Sequence, residues 1–194
     1  SYTNGGNVCR VQGKLCSIGI NHTFDYVKNI TYDHKDRRTS IEYGNGIISN
    51  YTYDEYRGWL ETLVTTDSLK NSIQNIEYRF DVTGNVISYT NECTKYSTTQ
   101  EYQYDTLGQL IQVNGKSVCQ KYSSGPEYVS TYSQNWQFDS LGRQTLKESS
   151  VQNLIKTDLG GDLLNYRFDY EYLQNKENKV ETCGGMYYAY DSNG

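Results

Sequence analysis

One proline, one methionine and two histidines are all that this 194-residue sequence holds of those three types. With no long run of 3.6-residue periodicity either, helix is not expected to be a main element. None of the five cysteines forms a CxxC, and with only His22 and His34 beside them no zinc-ligand spacing appears, so no metal or cofactor is expected. The same scarcity of histidine leaves no activated Ser, Cys or Thr beside a base, so the chain is expected to be non-enzymatic. No apolar run approaches the roughly 18 residues of a spanning helix, and residues 1–20 do not read as a signal peptide. No block of positive charge offsets the net charge of −5, which argues against nucleic acid as a partner. The densest charge run, DHKDRR at 33–38, reads as a solvated turn.

What the chain does have is tyrosine, 21 residues of it. Together with Thr, Val and Ile this favours strands, and the thin aliphatic content points to an all-β array of tandem antiparallel hairpins rather than a thick core. One phrase organises the sequence: Tyr102-Gln103-Tyr104-Asp105-Thr106-Leu107-Gly108-Gln109-Leu110. Residues two apart on a strand face the same way, an aspartate can bond turn N–H groups, and glycine takes positive φ freely. The phrase therefore reads as strand, turn, strand. It recurs at Tyr51–Leu60, Tyr78–Val86, Trp136–Arg143, Tyr166–Asp169 and Tyr188–Gly194, with a partial copy at Tyr32–Arg38. Its marker aspartates are Asp33, Asp54, Asp81, Asp105, Asp139, Asp169 and Asp191, spaced by 21, 27, 24, 34, 30 and 22 residues. Such a period marks a repeat array in which each unit packs on its neighbours.

The motif YxYDxxG followed by a polar residue and Leu or Val, with YGNGIISNYTYD at 43–54, resembles the YD (Rhs) repeats over about residues 30–194. That family includes teneurins, toxin-complex shells and bacterial polymorphic toxins. The resemblance implies one continuous β domain at 30–194 after an atypical hairpin segment at 1–29. It also implies that the chain could be part of a shell enclosing a toxin. The self-cleaving segment that ends larger members has no counterpart after Val180.

The copies vary. Asp36 holds the glycine position of the first, which Asp tolerates better than most residues. The copy at Tyr51–Leu60 has one extra residue before Gly58, suggesting a bulge. The copy at Tyr166–Asp169 lacks its glycine and should continue into an exposed loop around Gln174–Lys179. Asn45-Gly46 and Asn114-Gly115 read as type I′ hairpin turns, the second joining Leu110–Val113 to Lys116–Cys119. A further turn is expected at Gly160-Gly161. A two-residue loop at Gln12-Gly13 would place Cys9 opposite Cys16, within disulfide range. Cys93, Cys119 and Cys183 remain without an assigned pairing.

The invariant two-residue spacing predicts an aromatic ladder on one face: Tyr51, Tyr53, Tyr78, Phe80, Tyr102, Tyr104, Trp136, Phe138, Tyr166, Phe168, Tyr188 and Tyr190. Arg79, Gln103, Gln137 and Arg167 should face the other way. Sequons at Asn21, Asn29 and Asn50 are candidate glycosylation sites and, with the cysteine pair, tilt the compartment to the extracellular space or cell surface. Because Tyr190-Asp191-Ser192-Asn193-Gly194 stops before a return strand, the chain reads as one unit of a fibre, stalk or adhesion array. Its expected partners are copies of itself or adjacent repeats end to end, and glycans, without insertion into a membrane. The alternatives are a toxin shell and a glycan-binding module.

Overall fold

The computed structural model describes residues 1–17, 20–94, 96–120, 127–153, 164–174 and 178–191. Among them are fourteen strands, all antiparallel, following one another in chain order from β1 to β14. They are β1 Val11–Ser17, β2 Ile20–Tyr32, β3 Arg38–Tyr43, β4 Ile48–Tyr53, β5 Leu60–Thr66, β6 Ser72–Phe80 and β7 Val86–Cys93. The rest are β8 Tyr96–Tyr104, β9 Leu110–Gln120, β10 Glu127–Phe138, β11 Gln144–Asn153, β12 Tyr166–Tyr172, β13 Val180–Cys183 and β14 Met186–Tyr187. No described helix is long and apolar enough to cross a membrane. The all-β array of tandem antiparallel hairpins is the observed fold.

The chain divides into two compact units, Ser1–Arg79 with Tyr89–Ser97, and Phe80–Ser88 with Thr98–Gly194. In the first unit, register carries one face across four strands. Ile41 lies opposite Ser49, Ser49 opposite Thr65, Tyr51 opposite Leu63 and Leu63 opposite Ile76. Ile41 and Ile76 are each 5% exposed, and the buried hydroxyls of Ser49 and Thr65 satisfy one another at 2.8 Å. In the second unit the buried set is Val113, Leu146, Cys183, Thr98 and Ser149. Small polar residues and a few aliphatics, roofed by half-buried tyrosines, make up these cores.

Two hairpins expected from glycine are absent. Gly13 lies mid-strand in β1 opposite Phe24, and a Cβ there would stand 2.6 Å from the Phe24 ring. Gly115 lies mid-strand in β9 opposite Tyr132, where a Cβ would stand 2.2 Å from Tyr132 Cε1. Both glycines make room for a ring rather than a turn. Cys16 consequently pairs with Asn21, and Cys9 is a free thiol with Sγ 3.2 Å from Ser1 Oγ. The register that placed Cys9 against Cys16 does not exist. Asn45-Gly46 does turn, but only Gly46 has positive φ (86°), and Tyr43 N–H donates to Ile47 O at 2.9 Å. That is a three-residue loop with one left-handed position, not type I′. The expected turn at Gly160-Gly161 lies outside the described residues.

Candidate functional site: the aspartate turn and the tyrosine latch

The repeated element is a turn built in the same way each time. Between β8 and β9, Asp105 N–H donates to Gln109 O at 2.9 Å and Gly108 N–H to Asp105 O at 3.1 Å. Asp105 Oδ1 accepts the N–H groups of Leu107 and Gln109 at 2.9 and 2.8 Å, and Gly108 has φ +78°. The carboxylate thus satisfies two donors that a tight turn would otherwise leave without partners. Asp33, Asp81 and Asp139 repeat both side-chain bonds, with Asp36, Gly84 and Gly142 at positive φ. Asp36, at φ 58°, occupies the left-handed region as expected.

At Asp54 the extra residue enlarges the turn. Gly58 N–H donates to Asp54 O at 3.0 Å, and Asp54 N–H pairs with Trp59 rather than with its fourth neighbour. A register shift does follow between Thr52 and Tyr53. The regular copies show the same shift between Thr31 and Tyr32 and between Gln137 and Phe138, so the extra residue is not its cause.

Two further turns of this kind escape the tyrosine-aspartate pattern. Asp67 accepts from Leu69 and Asn71 N–H with Lys70 at φ 69°. Near the start, Thr3 takes the aspartate's role: its Oγ1 accepts Asn7 N–H at 3.1 Å, and Gly6 has φ 85°. The signal was present as Gly6-Asn7-Val8, identical to Gly84-Asn85-Val86. The reverse error occurs at Asp169. It sits inside β12 and pairs with Arg167 at 2.9 Å, while the turn comes later, with Leu173 N–H donating to Lys179 O. Of the loop expected around Gln174–Lys179, residues 175–177 lie outside the described residues.

These turns are coupled by the tyrosine that precedes them. Strand pairing between neighbouring hairpins stops short of the turns: the ladder of β3 with β4 ends at Ser40 and Asn50, and that of β11 with β12 at Leu146 and Asp169. Across both gaps a phenol reaches the first residue of the previous return strand, and three more phenols make the same kind of bond to a residue just after an earlier turn. Tyr53 Oη donates to Arg38 O at 2.9 Å, and Tyr172 Oη to Gln144 O at 2.8 Å. Tyr32 does so to Val8 O, Tyr104 to Val86 O and Tyr190 to Val180 O, at 2.7, 2.8 and 2.9 Å. The hydroxyl supplies the donor that the interrupted ladder withholds. Phe80 and Phe138 hold the equivalent position without a hydroxyl.

A cation completes several joints. Arg37 and Arg143 bond Asp33 and Asp139 Oδ2 at 2.7 Å, and their guanidinium carbons lie 4.4 Å from the rings of Tyr53 and Tyr172. Lys179 Nζ stands 5.1 Å from the Tyr190 ring. Burial opposes the Asp33 charge, but the Arg37 and Lys35 N–H groups and the Arg37 guanidinium outweigh it, lowering its pKa to about 2. Asp81 is also depressed, chiefly by the Thr83 hydroxyl and by Asn85 against opposing burial. The Tyr104 and Tyr172 phenols are pushed up by burial, Tyr104 further by Asp81.

The ladder residues alternate as half-buried rings with exposed Arg79, Gln103, Gln137 and Arg167 between them. Tyr51, Tyr53, Tyr78, Phe80, Tyr102, Tyr104, Trp136, Phe138, Tyr166 and Phe168 are the half-buried set, whereas Tyr188 and Tyr190 are exposed and lie outside the named strands. Register places Leu63 opposite Tyr51, and Lys147 opposite both Trp136 and Phe168. Return strands therefore separate the rings of successive copies. Asn29 and Asn50 are exposed on β2 and β4, and the Asn21 side chain lies outside the described residues. Among the described residues no cluster of ligating side chains could hold a metal.

No protein-family profile matches the chain. It is 30% identical over 139 residues to the toxin subunit YenC1 of Yersinia entomophaga, covering 60% of this chain and 14% of YenC1. The subunit YenC2 of the same organism is 26% identical over 142 residues, covering 60% of this chain and 15% of YenC2. The chain therefore spans only a small part of the curated relatives it matches. The crystal structure of TcdB2-TccC3-Cdc42 superposes with a TM-score of 0.71 at 21% identity, over 93% of this chain and 9% of that one. The Tc holotoxin pore of Photorhabdus luminescens gives 0.69 at 22%, over 89% and 8%. These likenesses to solved structures establish the fold.

Proposed function

The chain is a YD-repeat (Rhs-repeat) polypeptide homologous to toxin subunits of Yersinia entomophaga, and from that premise we propose that it is a non-enzymatic wall segment of an Rhs-type shell that encloses a toxin. The observation that carries this reading is sequence identity with those subunits, 30% over 139 residues in one and 26% over 142 in the other. The repeated aspartates and tyrosines are committed to turn and latch bonds, which suits a wall. In this reading the partners are adjacent repeats and subunits of the same complex, in a secreted assembly. The relatives support the shell over the end-to-end fibre, and bacterial relatives lend no support to occupied sequons at Asn21, Asn29 and Asn50 or to a glycan partner. The aromatic ladder is proposed to stiffen the wall, with residues 30–194 as its continuous repeat array.

Electron microscopy of the intact parent protein tests this. Closed hollow particles that protect an internal segment from added protease are the expected result. Filaments, or particles with no interior, would return the chain to the fibre reading.

A further inference from the structure

Successive aspartate turns leave a groove between them, and in most joints the residue after the left-handed position crosses it. Arg37 leaves the Asp33 turn, stacks on Tyr53 and brings Nη1 to 2.8 Å from where a Cβ of Gly58 would stand. Gln109 leaves the Asp105 turn and brings Nε2 to 3.3 Å from the corresponding point of Gly142. Asn7 leaves the Thr3 turn and bonds Asp36 Oδ1 at 2.8 Å. Arg143 lies over Tyr172 and Lys179 over Tyr190.

The joint between the Asp81 and Asp105 turns differs. Its crossing residue is Asn85, whose amide folds back to Asp81 Oδ2 and Thr83 Oγ1, both at 2.9 Å. Gly108, the equivalent of Gly58 and Gly142, has no atom within 4 Å of its Cβ position. Among the described residues no cation lies over the Tyr104 ring, although that phenol is latched to Val86 O like the others. The result is an open groove of about 760 Å³ floored by Tyr104 and edged by Asp81, Thr83, Asp105 and Gly108.

We infer that this groove is a docking site for a guanidinium, the side chain of an arginine on another polypeptide. The equivalent joints define the fit: at Arg37 and Arg143 a guanidinium rests on the latch tyrosine and bonds the turn carboxylate. The Asp81–Asp105 joint retains the ring and both carboxylates, with Asn85 in the arginine's place: its amide bonds Asp81 Oδ2 and leaves the ring uncovered. A planar cation between a tyrosine face and a carboxylate gains both stacking and a charge-assisted hydrogen bond. Asp105 contributes acceptor capacity besides, since only its Oδ1 bonds the Leu107 and Gln109 N–H groups.

The test is an NMR titration of the chain with N-acetyl-arginine amide, with the N-acetyl-lysine analogue in parallel. Saturable amide shifts are expected at Thr83, Asn85 and Gly108, with arginine binding several-fold more tightly than lysine. The variant Asn85→Arg, which restores the arginine seen in two sister joints, should abolish them while leaving the spectrum elsewhere unchanged. Tyr104→Phe keeps the ring and should retain the shifts, whereas Tyr104→Leu should lose them. Absence of saturable shifts at these amides would overturn the assignment. So would shifts of equal size in Asn85→Arg, or an equal response to lysine. None of these outcomes depends on whether the parent protein forms a shell.

Discussion

Tyr104→Phe removes a single oxygen, and its consequence can be worked out from the latch. The hydroxyl donates to Val86 O at 2.8 Å, from the last residue of β8 to the first of β7, and the phenol is half-buried. A net intramolecular hydrogen bond contributes about 0.5–1.5 kcal/mol, and more when a partly buried acceptor is left without its donor. A loss of about 1–2 kcal/mol is expected, equivalent to a fall in Tm of about 2–4 °C per kcal/mol for a chain of this size. Tyr172→Phe should cost a similar amount, because the phenylalanine ring still carries Arg143. The two sites share no partner, so their effects should add within about 0.3–0.5 kcal/mol. Phe138→Tyr, which offers a hydroxyl toward Leu110 at an unlatched joint, should stabilise. Urea denaturation followed by circular dichroism reads the three single variants and the Tyr104→Phe, Tyr172→Phe double variant. If both Tyr→Phe variants stay within about 0.3 kcal/mol of the parent chain, the hydroxyls do not couple the repeats and the latch is only ring packing.

Three other outcomes follow from the turns and strands. Gly108→Ala should cost about 1–2 kcal/mol from its backbone alone, since nothing crowds a Cβ there, whereas Lys70→Gly should stabilise by up to about 1 kcal/mol; chemical denaturation reads both. Gly115→Ala should destabilise by about 1–3 kcal/mol or more, because its Cβ would collide with the Tyr132 ring; a neutral result would mean that the ring is not seated there. Because the folded Asp33 pKa is about 2, below an unfolded value of about 3.9, its stabilising contribution is complete above pH of about 4 and is lost as pH falls towards 2. Asp33→Asn should therefore flatten the Tm profile in that window and lower Tm above it.

Sequence disclosed the array because its turn chemistry is local. An aspartate, a left-handed residue three places on and the donors between them all lie within five residues, so Asp81, Asp105 and Asp139 could be read directly. Where a substitute did the same work, as at Thr3 and Lys70, the pattern was hidden behind residue identity. Glycine misled in the other direction. Gly13 and Gly115 resemble turn residues, yet their role is to admit the rings of Phe24 and Tyr132 from the facing strand, and a single sequence cannot separate those uses. Asp169 misled because the second dyad, Tyr170 and Tyr172, carries the latch one strand turn later. The latches themselves were out of reach: Tyr104 and Val86 are 18 residues apart, Tyr172 and Gln144 are 28 apart, and only register brings them together.

That separation explains how an almost uniform repeat acquires distinct joints. Turn and latch are fixed by aspartate, glycine and tyrosine, but the residue after the left-handed position is free to vary. It is Asn7, Arg37, Asn85, Gln109, Arg143 and Lys179 in six of the turns, and Trp59 and Asn71 in the Asp54 and Asp67 turns. Arg37 and Arg143 tie carboxylate to ring, Gln109 reaches only the Gly142 backbone, at 3.5 Å, and Asn85 turns back on its own aspartate. Changing this one side chain closes a groove or opens it without disturbing the backbone bonds of either turn. An array built this way can keep its fold constant while assigning different surface chemistry to each joint, and the Asp81–Asp105 joint is where the variation leaves an aromatic, acidic groove facing outward.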